Sequence, residues 1–294
     1  MTNLSRLAFV FVAYSSASLA GRCLGQQTPV ASPPPSTPAL PTILRPDAPK
    51  EPAEAGKEKP SAKERLEAVR KKYLELRTYR DEGVSNVVLD FGVEPKSSMR
   101  TIFTTAFERG RRFRWEGKST TMAPMEPGVQ ANFPEDSYSI WSTDPKSHFS
   151  YREGLGKRKS EQTLGMALEA AEGMTHGASA AVAMLLTSDE RCSISSTIDF
   201  ESPVEKEPEI VDGVRCTVIE GLRKGGSYKP SDVSLWIDEN SLIRRVQQTN
   251  YIDPARKGPG DSSPPRTVKV TVNIKPVIDG KIDDRSFEPP PAAK

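Results

Sequence analysis

Arg109 is the residue whose surroundings ask most for a chemical explanation. Met99 to Glu108 reads as a strand, Arg109-Gly110 as a turn, and Arg111 to Gly117 as the returning strand. Phe103, Phe107 and Arg109 fall on one face of the first strand. In the second, Phe113 and Trp115 point one way while Arg112, Arg114 and Glu116 point the other. A guanidinium on the same face as two aromatic rings is costly to bury without partners. Its chemistry is that of a multiple hydrogen-bond donor, suited to holding another element in place. The outward arginines read as a solvated face or a local basic stripe.

Other reactive residue types form no catalytic pattern. The two histidines, His148 and His176, have no second histidine at metal-ligand spacing, so no metal site is expected. There is no Gly-x-Ser-x-Gly elbow and no phosphate-binding glycine loop. Asp283-Asp284 and Asp189-Glu190 are adjacent carboxylates. Neighbours in a strand point to opposite faces, so adjacency alone makes no acid/base pair. The expectation is a protein that is not an enzyme and needs no cofactor. Cys192 and Cys216 both lie in predicted strands. In an oxidising compartment they can form a disulfide or remain two buried thiols, and spacing does not choose between these.

The hairpin resembles a signature of the bacterial outer-membrane lipoprotein carriers, the LolA/LolB-like family. Their pattern is close to Arg-Pro-x-x-Phe-x-Trp. It is matched by Arg109-Gly110-Arg111-Arg112-Phe113-Arg114-Trp115, with glycine in the proline position. The family closes with a Phe followed by Pro-Pro, matched by Phe287-Glu288-Pro289-Pro290. The resemblance covers roughly residues 61–290 and implies an unclosed β-barrel with a helical lid. It implies a carrier for lipoprotein acyl chains or another lipid, with Phe103, Phe107, Trp115 and Leu185 lining the cavity. Arg109 takes the role of a latch that hydrogen-bonds the lid. An envelope delivery partner and transient membrane contact are also implied.

The first residues look secretory. Arg6 supplies a positive start, Leu7 to Ala13 begins an apolar run, and small residues offer cleavage after Ala20 or Gly25. The run is short for a membrane span, which needs ~20 apolar residues. The expected location is the periplasm, or a membrane tether if the N-terminus is uncleaved. Arg22 stands before Cys23 where a lipidation signal has a small residue. Beyond residue 60 the chain carries 35 basic and 35 acidic residues. That balance gives no electrostatic footprint for nucleic acid.

Residues 26–60 hold ten prolines, with alanine, serine and scattered charge, and read as an extended linker. The expected domains are therefore a signal over 1–25, a linker over 26–60 and a half-barrel over 61–294. Ser61 and Glu64 form a capping-box pattern, followed by a stripe of Leu66, Val69, Tyr73 and Leu76. Strands are expected at 79–91, 98–109, 111–117, 137–142 and 147–152. A helical pair follows, with Ser160–Glu172 broken at Gly173 and resuming from Ala178 to Leu186. Strands return at 191–200, 208–212, 214–222, 231–238, 241–252 and 266–276. The last has Val268, Val270, Val272 and Ile274 on one face. The fold class is α+β, mainly antiparallel: a half-barrel of about eleven strands with an N-terminal helix and a helical lid. The rival to a lipid carrier is a structural or stress-sensing envelope protein that binds a protein partner through the same fold.

Overall fold

The computed structural model describes residues 59–90, 97–122, 136–175, 177, 181–187, 198–223, 230–251 and 267–290. The signal segment, nearly all of the linker, His176, Asp189-Glu190, Cys192 and most of the strand expected at 191–200 lie outside them. Gly56–Lys294 forms one compact unit.

Helix α1 (Ala62–Glu75) opens on the expected capping box. Ser61 N donates to Glu64 Oε2 at 2.7 Å, and Glu64 N donates to Ser61 Oγ at 3.3 Å. Ala62, Leu66, Val69 and Tyr73 form its buried stripe. Eleven strands follow: β1 (Thr78–Asp90), β2 (Ser97–Glu108), β3 (Arg112–Met122), β4 (Asp136–Asp144), β5 (Ser147–Arg152) and β6 (Lys157–Glu161), then β7 (Glu201–Val211), β8 (Val214–Arg223), β9 (Ser231–Asp238), β10 (Ile243–Tyr251) and β11 (Thr267–Ile278). They make one antiparallel sheet in the order β6-β5-β4-β3-β2-β1-β11-β10-β9-β8-β7. The first and last strands of this order do not pair, so the sheet is an open half-barrel.

The chain thus runs outward from β1 as one meander, then returns from the other edge to close on β1 through β11. Between the two runs lie α2 (Leu164–Thr175) and α3 (Ala183–Thr187). Alternation along each strand sends one set of side chains to an inner face shared with the three helices. Val87, Phe103, Phe113, Trp115, Ile140, Ile219, Leu235 and Val272 from the sheet pack with Leu66, Leu168 and Leu186 from the helices in one core.

Three local expectations need correction. Ser160 does not start a helix. Residues 157–161 instead pair with β5, with Arg158 opposite Tyr151 and Ser160 opposite Phe149. Gly173 does not end α2, because a glycine within a packed helix costs only ~1 kcal/mol, less than the burial it accompanies. The strand placed at 208–212 begins seven residues earlier, at Glu201.

Both sheet edges carry charge. Edge β6 contains Lys157, Arg158 and Lys159. Edge β7 contains Glu201, Glu205, Glu207 and Glu209, with prolines at 203 and 208. Its register with β8 shifts across each proline, between Glu201 and Val204 and between Lys206 and Glu209.

On the inner face, glycines make room for rings. A Cβ on Gly83 would stand 2.1 Å from Phe103 Cζ, and one on Gly117 would stand 2.3 Å from Trp115 Cη2. Phe103 and Trp115 are themselves stacked, with centroids 6.1 Å apart. Neither ring can move without disturbing the other. Gly83→Ala and Gly117→Ala should each destabilise the fold by about 1–3 kcal/mol through overpacking. Gly154→Ala, where the nearest group is the Asp136 carboxylate at 3.3 Å, should be nearly silent in urea unfolding.

Candidate functional site

The inner face is built from cross-strand rows. Tyr79 lies opposite Phe107, which lies opposite Phe113. The next rows are Asp81–Thr105–Trp115, Gly83–Phe103–Gly117 and Ser85–Thr101–Ser119. Phe103, Phe107 and Trp115, expected together from sequence, therefore occupy three consecutive rows on β2 and β3. They are buried, as is Leu185 of α3, which belongs to the same core. Tyr138 of β4 extends the aromatic surface, its ring 6.5 Å from that of Trp115.

Arg109 sits where this wall meets α1. Its Nε donates to the Leu76 carbonyl at 2.8 Å and its Nη2 to the Tyr73 carbonyl at 2.8 Å. The guanidinium lies 5.0 Å from the Phe107 ring centroid. The latch expected to bind the mid-chain helices over 160–187 thus binds the C-terminal end of α1 instead. Chain order explains this. Helix α1 runs directly into β1, and β1 pairs with β2, so the end of β2 returns to the end of α1. Arg109 N donates to Arg77 O at 2.9 Å to complete the junction. The last carbonyls of a helix have no partners within it and carry its negative end, which suits a cation. Partial burial lowers the Arg109 pKa by desolvation.

Gly110 adopts φ +70°, and Arg111 N donates to Glu108 O at 3.0 Å across the turn. Proline cannot take that φ. The glycine in place of the resembling family's proline is therefore a requirement of this turn.

A buried polar chain beneath α1 was missed by sequence reasoning. Tyr73 Oη accepts from Ile243 N at 3.1 Å, and Tyr79 Oη donates to Asp81 Oδ2 at 2.7 Å. The two tyrosine rings lie 5.7 Å apart. Burial raises both phenol pKa values and pushes the Asp81 carboxyl up to about 6. Tyr79 and Thr105 offset part of that rise, yet Asp81 Oδ1 closes no hydrogen bond. Ser85 Oγ and Trp115 Nε1 on the same wall also lack partners. The alternation Tyr79–Asp81–Gly83–Ser85–Val87 is the signal that could have exposed this face.

Cys216 is a buried thiol whose Sγ lies 3.5 Å from Val214 O, packed with Val211, Val218 and Trp236 on the outer face. Its proposed partner, Cys192, is outside the described residues. Among the described residues no three His, Cys, Asp or Glu side chains gather as a metal site. No helix there is long and apolar enough to cross a membrane.

Two variants read this geometry. Arg109→Leu should remove about 2–3 kcal/mol and speed hydrogen exchange across residues 70–78, more than across α2. Asp81→Asn tests the buried carboxyl. Its folded pKa of about 6 exceeds the ordinary 3.8, so the folded state holds a proton that the unfolded chain releases between those values. This group's contribution to stability therefore falls as pH rises from about 4 to about 6. The asparagine variant should match wild type at pH 3.5 and exceed it at pH 8 by on the order of 3 kcal/mol in urea unfolding.

No family model matches the sequence, and no curated protein matches it. Among solved structures, the chain is similar to a domain assigned to outer membrane lipoprotein sorting from Vibrio parahaemolyticus, at 11% identity over 77% of this chain and 97% of that one, with a TM-score of 0.32. It is similar to a DUF1329 family protein from Desulfovibrio piger at 14% identity, over 78% and 97%, with a TM-score of 0.28. It is also similar to a LolA superfamily protein from Nitrosomonas europaea at 10% identity, over 79% and 99%, with a TM-score of 0.25. The LolA superfamily that the Arg109–Trp115 hairpin resembles is thus among the structures found, at identities and superposition scores that leave the functional argument to the geometry of the inner face itself.

Proposed function

We propose that this protein is a non-enzymatic carrier of the bacterial envelope that shelters acyl chains of a lipoprotein or another lipid against its inner face. In this reading residues 1–25 are a signal, 26–60 a linker and 61–294 the carrier domain, placed in the periplasm. Helices α1, α2 and α3 cover the face and move to admit the ligand, with Phe103, Phe107, Trp115 and Leu185 forming the wall. Arg109 latches α1 shut.

The observation that carries the reading is a set of polar atoms without partners on the buried inner face: Trp115 Nε1 as donor, Asp81 Oδ1 as acceptor and Ser85 Oγ as either. A core evolved only for packing satisfies or omits such groups. A lipid supplies both what they lack and what the rings want, ester or amide groups beside methylenes. Each buried CH₂ contributes ~0.8 kcal/mol, so a chain of ordinary length offsets the displacement of small helices. The helices contribute small residues to this core, including Ala167, Ala171 and Ala183, beside their leucines.

Native mass spectrometry of protein purified from its own envelope, followed by lipid extraction, should find a bound lipid. The same protein should bind a dansylated fatty acid that unlabelled fatty acid displaces. Phe103→Arg should weaken that binding at least tenfold. Absence of lipid and of displacement in a folded protein would make the inner face a closed core and favour the envelope structural or regulatory role.

A further inference from the structure

The outer face of the sheet holds a second feature that the carrier reading does not use. Opposite the aromatic wall, alternate residues of β11, β1, β2 and β3 form two polar rows. In one, Arg80 lies opposite Ala106, and Ala106 opposite Arg114. In the next, Glu82 lies opposite Thr104, and Thr104 opposite Glu116, with Lys275 of β11 flanking Glu82. The rows floor a groove of about 490 Å³. Arg285, on the 3-10 turn Asp284–Phe287, stands at its rim.

That turn is fixed to the sheet. Asp283 Oδ1 accepts from Arg285 N at 3.0 Å, and Arg112 Nη1 pairs with Asp284 at 2.8 Å. Phe287 is buried, and the Arg112 guanidinium lies 4.3 Å from its ring centroid. Arg285 is therefore placed by a docked anchor rather than by a free tail.

The groove's outward charges are four cationic side chains, Arg80, Arg114, Lys275 and Arg285, against two carboxylates, Glu82 and Glu116; Asp81, itself buried, also lines it. Arg114 is committed to Glu116 at 2.7 Å. Among the described residues Arg80, Lys275 and Arg285 enter no ion pair. Ala106 matters for shape. Two arginines separated by two strand spacings, roughly 9–10 Å, stand on either side of a buried methyl group, which adds no bulk between them.

We propose that this groove binds a phosphate-bearing anion. A guanidinium fork presents paired N–H donors to two oxygens at once, which both a phosphomonoester, with three terminal oxygens, and a phosphodiester headgroup, with two, can meet. Arg80 and Arg285, which enter no ion pair among the described residues, supply the forks, and Arg114, held by Glu116 and largely buried, adds charge behind them. Lys275 supplies a point charge at the edge. The volume lies within the range of small-ligand sites. The anion can be a free phosphate compound or a phospholipid headgroup, which share the recognised chemistry. This inference stands apart from the inner-face reading, since its residues lie on the other side of the sheet.

The test uses the full chain. Isothermal titration with inorganic phosphate should show saturable one-to-one binding that weakens as salt rises. Flotation with phosphatidylcholine vesicles, with and without phosphatidylglycerol, asks whether the anion is a headgroup. The double variant Arg80→Gln with Arg285→Gln should weaken phosphate binding at least tenfold, with its melting temperature checked against wild type. Lys275→Gln is a second, fully exposed probe and should weaken binding severalfold. Lys157→Gln, on the far edge, should leave it unchanged. Phosphate binding together with recruitment to anionic vesicles, both lost in the double variant, supports the site with a headgroup as ligand. Phosphate binding without recruitment supports it with a free phosphate compound. No phosphate binding, or binding that the double variant and Lys157→Gln affect alike, overturns it.

Discussion

The contact between Arg109 and the end of α1 ties together the parts of this fold that are otherwise only adjacent. Helix α1 reaches the sheet's far half through Tyr73, whose hydroxyl accepts from Ile243 N, and through Arg65, paired with Glu205 of β7 at 2.9 Å. Arg109 fixes its other side to the β2–β3 hairpin through the Tyr73 and Leu76 carbonyls. One helix therefore bridges strands that lie far apart in the sheet order. Without that bridge, an open sheet has no element that defines how far apart its two halves stand.

The two faces of the sheet follow from the same alternation but meet different solvents. Inside, aromatic rings lie over Gly83 and Gly117, and burial makes every polar atom expensive. Outside, arginines and glutamates stand in rows over Ala106, and water screens them. Trp141 and Phe149 on the outer face of β4 and β5 stack at 5.5 Å and are covered by the Arg158 guanidinium. Outward arginines of this protein thus do more than dissolve it. They roof aromatic residues, anchor the C-terminal turn and line a groove.

Much of this was legible from local pattern. The capping box at Ser61, the α1 stripe, the alternation of β11 and the Arg109 hairpin are short-range signals that tertiary context left standing. Strand β6 was hidden because Lys157-Arg158-Lys159 carries no apolar alternation, as befits an edge with one neighbour. Strand β7 was hidden by its prolines and glutamates. Asp81 did not stand out because both faces of β1 mix polar and apolar residues. The alternation Tyr79–Asp81–Gly83–Ser85–Val87 marks one face of β1, but that α1 would cover this face is a tertiary matter outside the strand pattern. The acceptors of Arg109 were missed for a similar reason: a side chain can announce that it needs a partner without naming it.

An unclosed sheet ends in two edge strands, and among the described residues these edges carry opposite charge. The basic edge of one molecule and the acidic edge of another are electrostatically matched for head-to-tail growth, the geometry that yields filaments rather than closed rings. Two prolines stand in the way. Pro203 and Pro208 each remove a donor and kink the ladder, so no long stretch of β7 can template a neighbour. An open sheet needs borders that are poor at self-recognition, and the irregularity of β7, which looks like a defect in the sheet, is suited to that need.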